Sequence, residues 1–195
     1  MVKVGFIVEG NSDAIIIKQS KNLNYLFNIY KIEFDDELVL NARSKSNLKK
    51  YFVDLYNNLI KKGAEIVFIL FDQDDKEEQK RNKKYKPLDC PLIAINELQS
   101  YRNNKNYIKD NQIFIVMTRE MEAWFLADEN LRFNYNGNPE EILNPSDIVG
   151  EQLGTSSHVK IANKIKDRFS LVRASENSRS AKRFLDKLKK IANEN

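Results

Sequence analysis

Two short, uninterrupted apolar runs, at residues 4–8 and 66–71, constrain the fold more than any other feature of this sequence. Each has the length of a β-strand and no polar alternation, which predicts a strand that is buried on both faces. Such strands belong to parallel sheets that helices cover on each side. Both runs stop at a carboxylate, Glu9 in the first case and Asp72 in the second.

Helical patterns separate these runs along the chain. A first helix is predicted to begin at Ser12 and Asp13, residue types that cap helices, and to give way near Tyr30 to a short strand at residues 31–34. A second helix carries one apolar face over residues 48–59. Strands that alternate with helices are typical of βαβ units, in which the strands lie parallel within one sheet.

Two further strands are predicted at residues 92–95 and 113–117, with a polar segment between them that could be helical. The predicted fold class is therefore α/β, a Rossmann-like and mostly parallel sheet flanked by helices. From Arg119 onward the pattern turns helical. We expect residues 1–128 to form the core and residues 129–195 to form a helical C-terminal extension that packs on it in a single structural unit.

The chain contains a single cysteine, Cys90, and a single histidine, His158. An intramolecular disulfide and a zinc site rich in cysteine or histidine are therefore excluded, and any metal ion is expected to be held mainly by oxygen. Because no partner acid is evident in the sequence, His158 is expected to be structural or exposed. The apolar runs are far shorter than the roughly 20 residues of a membrane helix, and no signal-peptide pattern is present. We expect a soluble, cytoplasmic protein with no membrane contact.

Charge is distributed unevenly, although the formal net charge is only +4. Residues 119–151 contain eight acidic and two basic side chains, whereas residues 155–195 contain eleven basic and four acidic ones. An acidic stretch followed by a basic tail fits an enzyme that uses a metal and acts on a polyanion. It fits a solvated surface almost as well.

Three carboxylates are predicted to meet at one edge of the sheet. Glu9 follows the first strand, and Asp72 and Asp74 end the third. Ligands bind at the carboxyl ends of the strands in open parallel sheets, because loops and helix N-termini converge there. A cluster of carboxylate oxygens suits Mg²⁺ or Mn²⁺, ions that are also shared with substrate phosphates.

Residues 8–13, followed by residues 71–74, resemble the TOPRIM domain, an α/β metal-binding module of topoisomerases, primases and OLD-family nucleases. In that family the catalytic signature is a glutamate after the first strand and an Asp-x-Asp after the third. The resemblance therefore implies catalytic and metal-binding roles for Glu9, Asp72 and Asp74. It also implies that Asp13 helps to hold a second ion, as an acidic residue at the start of the first helix does in OLD-like members.

Residues 121–128 resemble a segment of bacterial TOPRIM proteins related to OLD-family and RloB-like nucleases, which often occur beside ATPases in defence loci. The resemblance implies a separate ATPase as a partner and a role in phage or plasmid defence. Glu122 either faces the metal or caps a turn. A late lysine helps to neutralise phosphate in OLD-like nucleases, so Lys160 or Lys164 is a candidate for that role, with exposed surface as the alternative.

Together these features predict Mg²⁺- or Mn²⁺-dependent hydrolysis of phosphodiester bonds in nucleic acid, with DNA favoured over RNA. The basic C-terminal helices would contact the phosphate backbone. The alternative is a non-catalytic TOPRIM module that binds nucleic acid or regulates a partner ATPase. The sequence leaves the oligomeric state open.

Two other classes of phosphate chemistry fit the sequence less well. The chain has no Gly-x-x-x-x-Gly-Lys-[Ser/Thr] loop, so it is not a P-loop ATPase. A phosphatase of the haloacid dehalogenase class also uses Asp-x-Asp, but it places the motif on its first strand. In this chain the motif comes at the end of the third predicted strand.

Overall fold

A computed structural model describes residues 1–73, 91–102 and 104–194. Within these ranges, five strands and nine α-helices are connected by short loops and 3₁₀ turns. The strands are β1 (Val2–Val8), β2 (Ile32–Glu33), β3 (Val39–Asn41), β4 (Ile66–Asp72) and β5 (Gln112–Met117). The helices are α1 (Asn11–Gln19), α2 (Lys21–Ile29), α3 (Lys45–Lys61), α4 (Pro91–Ser100), α5 (Met121–Ala127), α6 (Pro145–Leu153), α7 (His158–Ile165), α8 (Leu171–Asn177) and α9 (Arg179–Asn193).

The five strands form one sheet in which every observed pairing is parallel. β4 lies between β1 and β5, while β2 and β3 pair with successive parts of β1. The register places Val8 beside Leu70 and Asp72 beside Met117. The predicted α/β class and the mostly parallel, helix-flanked sheet are confirmed.

Both faces of the sheet are buried, as the uninterrupted apolar runs predicted. On one face Phe6 of β1 stacks on Phe68 of β4, with ring centroids 5.5 Å apart. Their neighbours Ile7 and Ile69 point to the opposite face, because successive side chains of a strand alternate. Two separate hydrophobic clusters therefore sandwich the sheet.

Helices from both ends of the chain cover the Phe6 face. α1 and α2 contribute to it from the N-terminal part, and α5 to α9 contribute from the later part. Phe184 of α9 contacts the ring of Phe68 edge-on, with a centroid separation of 5.4 Å. The C-terminal helices therefore share one hydrophobic cluster with the sheet. α3 and α4 cover the other face.

The strand predicted at residues 92–95 is wrong, because these residues belong to α4. Ala94, Ile95 and Leu98 are the buried residues of this helix, at the i, i+1 and i+4 spacing of one helical face. A short apolar run fits either a strand or part of a buried helix, and periodicity alone cannot separate the two. The strand predicted at residues 113–117 is confirmed as β5.

Other boundaries also differ from the predictions. The first helix divides at Ser20, whose extended backbone ends α1 and whose side chain accepts a hydrogen bond from the N–H of Leu23 to cap α2. β3 was not predicted, since its three residues are too few to show a pattern. In the described part of the chain, no helix combines the length and apolar character needed to cross a bilayer.

Candidate metal site

A cavity of about 210 Å³ opens at the carboxyl edge of the sheet. The loops after β1 and β5 reach it, together with the last residue of β4 and the first turns of α1, α5 and α7. The ionisable acid and histidine side chains that line it come from six positions: Glu9, Asp13, Asp72, Glu120, Glu122 and His158. The cavity is therefore strongly acidic, and it lies where an open parallel sheet binds its ligands.

Glu9 and Asp72, which were predicted to converge, do lie together. Parallel pairing of β1 with β4 brings the ends of the two strands side by side. The backbone N–H of Asp72 donates a hydrogen bond to Oε2 of Glu9 over 3.1 Å. This bond fixes the glutamate carboxylate against the end of the neighbouring strand.

Asp13 occupies the first turn of α1 and is only 3% exposed. Its Oδ2 accepts a hydrogen bond from the N–H of Gly10 over 2.9 Å, which closes the helix N-terminus. Burial raises the pKa of Asp13 to about 6, the nearby Glu122 carboxylate adds to the rise, and the Gly10 N–H opposes it. The predicted metal-binding position is thus brought to the cavity.

The acidic surroundings strongly affect the pKa of Asp72. Burial raises its pKa well above the ordinary value of 3.8, and the carboxylates of Asp13, Glu9 and Glu122 raise it further. Its Oδ1 is buried and has no hydrogen-bond partner among the described residues. A buried acceptor without a donor is costly, so this oxygen is suited to a cation.

A second group of potential ligands lines the same cavity and comes from the later part of the chain. Glu120 precedes α5, Glu122 lies in its first turn, and His158 begins α7. One potential ligand atom from each of these three residues lies within 4.8 Å of the others, so this group could hold a metal ion. Oε1 of Glu120 also accepts a hydrogen bond from the N–H of Ser146 over 2.7 Å.

The expectation that His158 lacks a partner acid is wrong. Its Nδ1 lies 2.8 Å from Oε1 of Glu122, a carboxylate whose side chain is only 2% exposed. The two residues are 36 positions apart, and packing of α7 against α1 brings them together. No local pattern could have revealed this pair. Glu120 could have been found, because it lies in the loop after β5, close to the end of that strand, as Glu9 lies directly after β1.

The donor set fits a divalent cation. Burial raises the pKa values of Asp13 and Asp72, and repulsion between the carboxylates that share the cavity raises them further. The buried Oδ1 of Asp72 provides a ligand atom with no competing donor among the described residues. Carboxylate oxygens with one imidazole nitrogen form a familiar ligand set for divalent metals.

The cavity rim carries positive groups as well. Arg43 and Ser44 line it immediately before α3, and the Ser44 hydroxyl accepts a hydrogen bond from the N–H of Asn47. Nζ of Lys45 donates to the carbonyl oxygen of Asp72 over 2.8 Å. The N-terminus of α3 and its two cations therefore lie beside the acidic cluster. These cations were not predicted from the sequence to lie at the site.

Neither of the two candidate lysines lines the cavity. Asp74 is outside the described residues, as is Cys90. Lys160 is exposed on α7 and is not among the residues that line the cavity, while Nζ of Lys164 donates to the carbonyl oxygen of Leu153. Asp128 is buried in a bidentate pair with Arg173, which is a structural contact.

Comparisons with protein-family models, with curated proteins and with solved structures find no match for this chain. The interpretation of the cavity therefore depends on its own geometry and charge.

Proposed function

We propose that this protein is a metal-dependent nuclease that hydrolyses phosphodiester bonds, with a TOPRIM-like arrangement of its acidic residues. One observation carries the proposal. Five carboxylates and one imidazole line a single cavity at the carboxyl edge of a parallel sheet. A buried acidic cavity of this kind destabilises the fold unless a cation neutralises it.

Glu9, Asp13 and Asp72 would hold the metal, with Mg²⁺ or Mn²⁺ as the proposed ion. A bound divalent ion supplies Lewis acidity and makes water a nucleophile near neutral pH. The chain's own residues set the geometry. The Asp72 N–H orients Glu9, and the Gly10 N–H orients Asp13.

The positive rim would bind the substrate. Arg43 lies at the mouth of the cavity, and the N-terminus of α3 presents N–H groups beside it. Backbone N–H groups at a helix N-terminus and a guanidinium group both favour phosphate oxygens. A phosphodiester could therefore lie between this rim and the acidic ligands.

The charge of α9 supports a polymeric substrate. This helix begins beside the end of β5, where Oγ of Ser180 accepts a hydrogen bond from the N–H of Thr118. Its exposed side chains are mostly basic and extend away from the cavity edge: Lys182, Arg183, Lys189 and Lys190. We propose nucleic acid as the substrate, with DNA favoured over RNA, and binding that weakens as salt is added. A partner ATPase and a role in defence remain predictions from the sequence resemblance.

Nuclease assays test the proposal. Plasmid DNA, single-stranded DNA and RNA are incubated with the full chain and Mg²⁺ or Mn²⁺. We expect cleavage by the wild type and a loss of at least about a hundredfold in Glu9→Gln and in Asp72→Asn, since each removes a metal ligand. Asp54→Asn is the matched control, because Asp54 is exposed on α3 and does not line the cavity.

The two functional classes give different results in this assay. Full activity in both ligand variants would contradict the proposal. Binding of nucleic acid without cleavage under any metal would favour the alternative, a module that regulates a partner.

A further inference from the structure

We infer that His158 is a metal ligand, and that it makes the centre prefer Mn²⁺ to Mg²⁺. The inference rests on the proposed function, since it concerns the metal centre of the same cavity. It adds one nitrogen to a centre bound mainly through oxygen, and it replaces the expectation that His158 is only structural or exposed.

The distances fit a shared coordination sphere. Nδ1 of His158 and Oε1 of Glu122 are 2.8 Å apart, and the ligand atoms of these two residues and Glu120 lie within 4.8 Å of one another. Adjacent ligands of an octahedral ion with bonds of about 2.1 Å lie about 3 Å apart, and opposite ones about 4 Å apart. The three side chains therefore need only small adjustments to share one ion.

The carboxylates of Glu122 and Asp72 place oxygen ligands for a cation in this part of the cavity. The Glu122 carboxylate is almost completely buried, with 2% of its side chain exposed. The Asp72 carboxylate lines the same cavity, and its buried Oδ1 has no hydrogen-bond partner among the described residues. The buried Glu122 carboxylate and the unsatisfied Oδ1 of the half-buried Asp72 offer more carboxylate oxygen than the His158 ring needs as a hydrogen-bond partner.

The fold holds His158 in place while leaving it accessible. α7 packs on the hydrophobic cluster through Ile161, Ala162 and Ile165, and the Ser157 side chain caps its first turn. The imidazole itself is about half exposed, with 48% of its side chain accessible. A metal ion can therefore reach this face of the cavity from solvent.

The imidazole determines which ion is preferred. Mg²⁺ favours oxygen ligands and keeps much of its water shell, whereas imidazole nitrogen suits transition ions. A centre of carboxylates alone would accept either ion. The addition of one nitrogen ligand strengthens binding of Mn²⁺ and leaves binding of Mg²⁺ nearly unchanged.

Electron spin-echo spectroscopy of the Mn²⁺-loaded protein tests the inference directly. A nitrogen bound to Mn²⁺ produces ¹⁴N modulation of the echo. Because the chain has one histidine, an imidazole signal from an untagged protein has a single source. We expect this signal in the wild type and in the control Val159→Ala, whose side chain is exposed on the same helix, and its loss in His158→Gln.

Calorimetric titration gives the matching affinities. His158→Gln should weaken Mn²⁺ binding at least about tenfold, the scale on which a damaged ligand shell loses metal, and change Mg²⁺ binding by less than about threefold. His158→Asp should bind Mn²⁺ without a ¹⁴N signal, because a carboxylate oxygen can replace Nδ1. This variant also separates the loss of a ligand from a loss of folding.

Each outcome has a separate meaning. Mn²⁺ that binds without ¹⁴N modulation overturns the inference, because His158 then only hydrogen-bonds to Glu122, and the proposed nuclease is unaffected. A ¹⁴N signal without cleavage of any nucleic acid supports the inference and contradicts the proposed function. A wild type that binds no Mn²⁺ overturns both.

Discussion

Asp13 is a carboxylate held almost entirely away from water, at 3% exposure, and its protonation is therefore coupled to folding. Its pKa in the folded protein is about 6 against an ordinary value of 3.8, chiefly because of burial. The folded protein binds this proton more tightly than the unfolded chain does. The stability that the proton contributes is fully present below about pH 4 and is lost as the pH rises through about 6.

The metal-free protein should accordingly lose about 2.4 kcal/mol of unfolding free energy through Asp13 between pH 4 and pH 7. Asp13→Asn should remove this part of the pH dependence, because its amide oxygen can still accept the Gly10 N–H. Urea unfolding in EDTA across this pH range measures the difference between the two proteins. Identical slopes for wild type and variant would contradict the assignment of Asp13 as a buried acid with a raised pKa.

Asp128 is also buried, but its neighbours compensate its charge. Arg173 binds both of its oxygens, with distances of 2.6 Å and 2.9 Å, and the N–H of Ser170 adds a third hydrogen bond. The sequence alone could not distinguish this aspartate from the acids of the cavity. The difference lies in a partner 45 positions away.

Arg173→Ala should therefore destabilise the protein by about 3 kcal/mol, since it leaves a buried carboxylate without its counter-ion. The affinity for metal should stay within about twofold of wild type, because neither residue lines the cavity. Chemical unfolding and calorimetric titration measure the two quantities. A large loss of metal affinity in a folded Arg173→Ala variant would show that Asp128 contributes to the metal site.

Among the secondary-structure elements, the strands whose C-terminal ends lie at the cavity were predicted well from the sequence. β1, β4 and β5 each contain an uninterrupted apolar run, and the carboxylates that follow the first two runs were found by position alone. α4 was mistaken for a strand because its apolar residues are too few to show a period. Helix packing in the C-terminal extension could not be read from the sequence, so His158 was not recognised as part of the cavity.

The connection between α6 and α7 controls the position of His158. Gly150 lies in α6, where a Cβ atom would come within 2.5 Å of the carbonyl oxygen of Thr155. The Thr155 N–H donates to the carbonyl oxygen of Gly150, so the two segments are in direct backbone contact. Only glycine allows so close an approach.

Gly150→Ala should displace the start of α7 and lower the melting temperature by several degrees. In the fraction that remains folded, we expect Mn²⁺ affinity to fall with the shift of His158. Val149 is a neighbouring buried position, and Val149→Ala provides a control that loses packing without a backbone clash. Equal Mn²⁺ affinity in Gly150→Ala and wild type would show that the turn does not position the ligand.

For the molecule as a whole, an acidic cavity is assembled from distant parts of one chain. β1 and β4 deliver Glu9 and Asp72, the loop after β5 delivers Glu120, and α7 delivers His158. The pattern of the sheet made the first pair predictable, because parallel strands end at one edge. The position of His158 depends on how α7 packs against the rest of the molecule, which no short sequence pattern encodes.

The central claim is that this cavity binds a divalent metal, and thermal unfolding with and without metal tests it most directly. When the free metal concentration is about a hundred times the dissociation constant, the bound ion adds about 2.7 kcal/mol to the free energy of unfolding. Mn²⁺ should therefore raise the melting temperature of the wild type by about 5–10 °C. Asp72→Asn should melt above the wild type in EDTA, because it relieves charge repulsion, and should respond little to Mn²⁺. A wild type whose melting temperature does not change with saturating Mn²⁺ or Mg²⁺ would contradict the account.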